Sequence, residues 1–147
     1  MTATTPAAPP AHSFVRPLLA LLAGLGITVL IVVVGVLIAT LAMLRGVNPA
    51  RFVATPGYLV VLALLNAGGA IAGGITTARI TTGRSFYTVF LLATVMGMSG
   101  LVPVIKGAPP HPGEPSWFPL AIALLVTSGV LVGGWSARRA DSRAVLG

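Results

Sequence analysis

Charged side chains are scarce in this chain. Lys, Arg, Asp and Glu together make up 7% of its 147 residues, whereas a soluble domain carries roughly 25%. Hydrophobic residues make up 56%. Because a chain of this composition could not cover its surface with polar groups, the sequence indicates a protein whose surroundings are largely lipid.

Cysteine is absent, which excludes disulfides, thiolate metal sites and cysteine nucleophiles. The sequence therefore does not indicate whether the protein faces an oxidising or a reducing compartment. Acidic residues are almost absent too, with two against nine Lys and Arg, for a net charge of +7. The cations lie at the ends of apolar runs rather than on one basic face. This placement is typical of membrane topology signals and argues against a nucleic-acid partner.

Four apolar runs predict four transmembrane helices, because a span needs about 20 mainly apolar residues. The first run is too long for the apolar region of a signal peptide, which is about 7 to 15 residues, so we predict a retained helix. Pro103 falls near the end of the third run, where we expect it to stop or kink the helix. The predicted spans are 18–44, 58–78, 86–102 and 118–136.

The predicted fold is all-α: a polytopic membrane protein whose four transmembrane helices form two tandem helical hairpins. Residues 1–16 are predicted to be a disordered tail, because Thr, Ala and Pro dominate them without periodicity. Residues 17–139 form the membrane domain, and residues 140–147 a short C-terminal tail.

Basic residues predict the orientation. Six lie on the N-terminal flank, the middle loop and the C-terminal tail, and three lie in the first and third loops. The bias places both termini in the cytoplasm. We interpret four of these residues as topology anchors: Arg79, Arg84, Arg138 and Arg139.

Glycines line one face of the second span and recur in the fourth. Gly69 and Gly73 are one helical turn apart, the spacing that lets two membrane helices meet backbone to backbone. A shift of 60 residues superposes this pattern on the fourth span, which indicates either a parallel internal repeat or the general glycine richness of membrane helices. The predicted helix-packing residues are Gly69, Gly73, Gly74, Gly129, Gly133 and Gly134.

No Asp, Glu, Lys, Arg or His lies inside a predicted span, which argues against proton relay, voltage sensing and intramembrane acid–base catalysis. Thr and Ser in such spans usually bond to their own helix carbonyls. Asn66 is the costliest polar side chain to bury and is therefore our candidate for an interhelical hydrogen bond.

The third loop carries His111 and Glu114. One His and one carboxylate are too few for a metal site, which needs three or four ligands, so no metal and no cofactor are predicted. With Trp117 as an interfacial aromatic residue, this loop is predicted to form a stiff turn and is a candidate docking loop.

Two segments resemble a group of small four-span bacterial membrane proteins of uncharacterised function. Residues 73–79 read Gly-Gly-Ile-Thr-Thr-Ala-Arg, like the Gly-Gly-x-x-x-Ala-Arg motif that ends the second helix of that group. Residues 111–118 read His-Pro-Gly-Glu-Pro-Ser-Trp-Phe, like its His-Pro and Trp segment before the last span. The resemblance implies a four-helix integral protein of the bacterial inner (plasma) membrane, with no catalytic residue to carry over.

The function predicted is that of a non-catalytic structural or interaction subunit of a membrane assembly, whose partners are the lipid bilayer and other membrane protein chains or further copies of itself. An oligomeric small-solute permease or channel is the alternative. A lipid-modifying enzyme is disfavoured, because only His111 and Glu114 offer titratable side chains at the outer surface. A pore would need a polar stripe, for which the candidates are Asn66, Thr76, Thr77, Thr127 and Ser128.

Overall fold

The computed structural model describes residues 15–43, 53–81, 86–107, 109 and 111–146, without the side chains of 141–146. Most of this part of the chain is helical, and it contains no strand. The predicted all-α class with four helices is therefore confirmed, and each helix is long and apolar enough to cross a membrane. The helices are α1 (Val15–Met43), α2 (Pro56–Thr81), α3 (Phe86–Ile105) and α4 (Phe118–Leu146).

The helices extend beyond the predicted spans. α3 continues through Pro103 to Ile105, because a proline this close to the end removes only one bond of the last turn. The N–H of Lys106 still donates to the carbonyl of Val102 at 3.0 Å, and Gly107 follows with φ +62, a left-handed conformation typical of a helix end.

The described residues of the two predicted tails are helical. α4 continues through residues 140–146, and the last two residues of the predicted N-terminal tail, Val15 and Arg16, already belong to α1. Residues 1–14 lie outside the described part of the chain.

α2 is the central helix of the bundle. It packs against α1 on one side and α4 on the other, and α3 packs mainly against α4. The N-terminal ends of α2 and α4 lie together around Leu59 and Phe118, so these two helices run in the same direction. The buried core is made of the small and medium side chains Ala70, Ala78, Val89, Leu92, Ala93, Val126, Val130 and Ala137.

Large apolar side chains cover the outside of the bundle. Leu30 and Ile38 of α1 are each 62% exposed, and Leu124 of α4 is 65% exposed. In a soluble protein such a surface would aggregate, whereas a bilayer core is its matching solvent. The exposure supports a multi-pass membrane protein, as four apolar helices of this length already indicate.

Candidate functional site

α1 and α2 meet through two Gly-x-x-x-Thr pairs. A methyl group at Gly24 would overlap the hydroxyl of Thr77, and one at Gly73 would overlap the hydroxyl of Thr28. Each threonine therefore occupies the space that the glycine on the facing helix leaves free. The four residues form a reciprocal contact across an antiparallel helix pair, with backbones close enough for carbonyls to be reached from the other helix.

The two threonine hydroxyls bridge these helices. The Thr28 hydroxyl oxygen lies 2.9 Å from the carbonyl oxygen of Gly24 in its own helix and 3.2 Å from that of Gly69 in α2. The Thr77 hydroxyl oxygen lies 2.9 Å from the Gly73 carbonyl and 3.2 Å from the Ala20 carbonyl in α1. Each hydroxyl proton is thus shared between one carbonyl of its own helix and one of the neighbour, which satisfies two buried polar side chains without water.

α2 and α4 touch through backbone atoms. A methyl group at Gly74 would come closer to the carbonyl oxygen of Val130 than Cβ atoms come in proteins, and one at Gly133 would do the same to the carbonyl oxygen of Ile71. Gly129 lies beside Ala70, with 3.0 Å between its missing Cβ position and the Ala70 Cβ. Three of the six predicted packing glycines, Gly74, Gly129 and Gly133, therefore lie in the α2–α4 interface within the monomer.

α3 packs on α4 through other residues. A Cβ at Gly134 would meet the side chain of Val89, and one at Gly97 would come within 2.5 Å of the Thr127 hydroxyl. Gly100 faces Ala123, with its missing Cβ 3.1 Å from the Ala123 Cβ. Small residues thus mediate every major helix contact in the bundle.

The glycines related by the 60-residue shift do not have related neighbours. Gly73 faces Thr28 of α1, whereas Gly133 faces Ile71 of α2. Gly74 faces α4, whereas Gly134 faces α3. The two hairpins share a sequence pattern but use it in different interfaces, so a common origin of the hairpins stays a prediction.

Sequence reasoning missed Gly24 and gave Thr28 only a bond within its own helix. The spacing Gly24 to Thr28 equals the spacing Gly73 to Thr77, and this shared Gly-x-x-x-Thr pattern was the available signal. α1 is apolar on all sides, so the pair does not mark a polar face.

Asn66 bonds within its own helix: its Nδ2 donates to the carbonyl oxygen of Leu62 at 2.8 Å. The interhelical role predicted for it is taken by Thr28 and Thr77. The other candidate pore residues also bond to carbonyls of their own helices, Thr76 to Ala72, Thr127 to Ala123 and Ser128 to Leu125.

The predicted topology anchors that the structure describes lie at one end of the bundle. Arg138 lies over the ring of Phe86, at 5.6 Å from its centroid, and Arg139 lies 3.7 Å from the centroid of Trp135. Arg79 is in the last turn of α2 at the same end. The ring contacts of Arg138 and Arg139 are cation–π contacts at exposed positions, worth about 0.5–1 kcal/mol each. Arg84 lies outside the described residues.

The predicted docking loop forms a tight turn at the opposite end. The N–H of Glu114 donates to the carbonyl of His111 at 2.8 Å, and Gly113 has φ +85. Pro followed by a glycine with positive φ is typical of a type II turn. The Glu114 carboxylate accepts a bond from the His111 N–H at 3.3 Å, so its visible role is to close the turn.

This turn is attached to the chain segment before α2. The N–H of Ala54 donates to the carbonyl of Pro112 at 2.8 Å, and a side chain at Gly113 would collide with the backbone of Ala54. On its α3 side the turn borders a cavity of about 360 Å³ whose polar lining is His111, Glu114 and Ser116. Trp117, which follows Ser116 in the chain, is 62% exposed.

His111 and Glu114 are the titratable residues that this loop brings together, and within the described residues no cluster of three or more His, Asp or Glu could hold a metal ion. Comparison with protein-family models, with curated proteins and with solved structures gave no match to this chain. The resemblance to the small four-span bacterial proteins therefore stays a prediction.

Proposed function

We propose that this chain is a non-catalytic structural or interaction subunit of an assembly in the bacterial inner membrane. The observation that carries the proposal is the packing of α1. Its buried residues, Ala20, Gly24 and Thr28, lie in its first half. Every residue from Val29 to Met43 is exposed or only half-buried. This half of α1 meets α2 at Gly35 and Thr40, and its other face presents apolar side chains away from the bundle.

The interior of the bundle supports the same proposal. Backbone contacts at Gly74 and Gly133 hold α2 and α4 together, and the hydroxyls of Thr28 and Thr77 are bonded to carbonyls. A bundle that leaves one apolar face of α1 uncovered suits a subunit that binds another membrane chain, because membrane helices associate through van der Waals packing of such faces.

Native mass spectrometry of the protein, extracted gently from its own membrane, tests this proposal. We expect a complex with other membrane chains. Replacing both Leu30 and Ile38 with alanine should release the partner, whereas Leu124→Ala, an equally exposed leucine on α4, should retain it. A lone homo-oligomer would contradict the proposal and favour the permease, to be followed by a liposome flux assay, and a bare monomer would contradict it as well.

We also propose that both termini are cytoplasmic. The described cations Arg16, Arg79, Arg138 and Arg139 lie at the end of the bundle that holds the start of α1 and the ends of α2 and α4, and Lys106 lies at the other end. An excess of Arg and Lys marks the cytoplasmic side.

Single-cysteine labelling tests the orientation, and the chain needs no prior substitution because it has no cysteine. Ser116→Cys should react with a membrane-impermeant maleimide on intact cells. Ala140→Cys, at the opposite end, should react only after the membrane is permeabilised. The reverse pattern would refute the proposed orientation.

A further inference from the structure

An apolar groove separates the first two turns of α2 from the first two turns of α4. Its walls are Leu59, Val60 and Ala63 of α2 and Ala121, Ile122 and Leu125 of α4, and its volume is about 540 Å³. Little of its surface is polar. Trp117, the residue before α4, also lines the groove.

The groove follows from where the glycines lie. α2 and α4 are in backbone contact around Gly74 and Gly133, in the second half of each helix. Toward their N-terminal ends the facing residues are larger, Leu59 and Phe118 among them. Two parallel helices that touch through glycine at one end must separate where larger side chains face each other, so the open wedge is set by the sequence.

The turn 111–114 forms part of one end of this groove. Gly113 and Pro115 line the groove, and the bond from the Ala54 N–H to the Pro112 carbonyl, 2.8 Å, holds the turn against the start of α2. The groove therefore has a fixed end near the membrane surface and side walls that belong to two membrane-spanning helices.

The size of the groove selects its occupant. An apolar cavity of about 150 Å³ is filled by one benzene ring, so about 540 Å³ has room for roughly 20 carbon atoms. A transmembrane helix is about 11 Å across and would place only one face in this open groove. A single linear hydrocarbon chain fits, and the surrounding bilayer is its source.

We propose that this groove is a binding site for one acyl chain of a bilayer phospholipid. The chain lies between α2 and α4, and Trp117 marks the headgroup level, where amphipathic aromatic side chains lie in membrane proteins. This inference concerns a different surface from the face of α1 invoked above, so either can fail without the other.

The two tryptophans allow a matched test. The chain contains two Trp, Trp117 at the groove and Trp135 at the other end of α4, and they are 62% and 51% exposed. Trp135→Phe leaves Trp117 as the only indole, and Trp117→Phe leaves Trp135. Each variant is reconstituted into vesicles of phospholipid with brominated acyl chains, which quench indole fluorescence on contact, and is then extracted into detergent.

Both tryptophans should be quenched in the vesicles. After extraction Trp117 should stay several-fold dimmer than in a sample prepared with ordinary phospholipid, whereas Trp135 should recover. Adding Ala63→Leu and Ala121→Leu, which fill the groove, should let Trp117 recover too, and Gly26→Leu on α1, where nothing lies within 4 Å, should not.

Equal recovery of both tryptophans on extraction would overturn the proposal, because it would show exchangeable boundary lipid only. Failure of the brominated lipid to quench Trp117 in the vesicles would also overturn it, because a second copy of the chain would then cover the groove.

Discussion

Replacing Gly74 with alanine is expected to disrupt the α2–α4 interface, whereas the same change at Gly68, in the same helix, leaves it intact. The added methyl group at position 74 would collide with the carbonyl oxygen of Val130, and its carbonyl and α carbons would lie 3.0 Å away. These are backbone atoms of a packed helix, so a side-chain rotation cannot make room. Overpacking of this kind costs about 1–3 kcal/mol, and we expect the upper end of that range.

Gly68 provides the control because nothing lies within 4 Å of its missing Cβ. There alanine should be neutral or stabilising by up to about 1 kcal/mol, the difference in helix propensity between the two residues. Thermal unfolding of the three proteins in one detergent measures both effects. If Gly74→Ala and Gly68→Ala had the same midpoint of unfolding as the parent chain, the α2–α4 contact described above would be wrong.

The contrast between Gly74 and Gly68 shows what the sequence could predict about the packing. Spacing by four residues identifies a smooth face on α2, and the apolar runs predict the four helices. Nothing in the spacing says which helix the face meets. Lipid is as apolar as the helix surfaces. Burying an apolar face against another helix therefore gains no hydrophobic free energy that would assign that face to one neighbour.

In α1 the sequence does not mark the packing face by a polar pattern either. It is apolar around its whole circumference, and a helix of this kind shows no amphipathic pattern. Its packing face is marked only by Ala20, Gly24 and Thr28, at intervals of four. The prediction placed the interhelical hydrogen bond at Asn66 instead, but the Asn66 amide donates to the Leu62 carbonyl of its own helix.

The groove lined by Trp117 could not be predicted from the sequence, for a related reason. Its walls are ordinary apolar residues, and only the relative position of two parallel helices makes them a concave surface. The turn 111–114 at one end of the groove was easier to predict from the sequence. Pro112 and Gly113 are the residues that a type II turn requires, and the sequence already indicated a stiff turn there.

The second large effect is expected at Gly24, where alanine should separate α1 from α2. The methyl group would overlap the Thr77 hydroxyl and lie 2.9 Å from the Gly73 carbonyl oxygen and 3.0 Å from a methyl carbon of Leu92. We expect a loss of about 2–3 kcal/mol of unfolding free energy. Gly26→Ala, two residues along and in open space, should cost nothing.

A double-mutant cycle with Thr77 tests whether the contact is reciprocal. Thr77→Ala alone should destabilise by about 0.6 to 1.7 kcal/mol, because it removes a hydroxyl shared with the Ala20 carbonyl. In the Gly24→Ala background the same change removes the colliding hydroxyl and should stabilise, although only in part, since the Gly73 carbonyl stays where it is. Residues in contact show coupling of about 0.5–3 kcal/mol, and here the sign of the Thr77→Ala effect should reverse. Additive effects would mean that the Thr77 side chain does not occupy the space left free by Gly24.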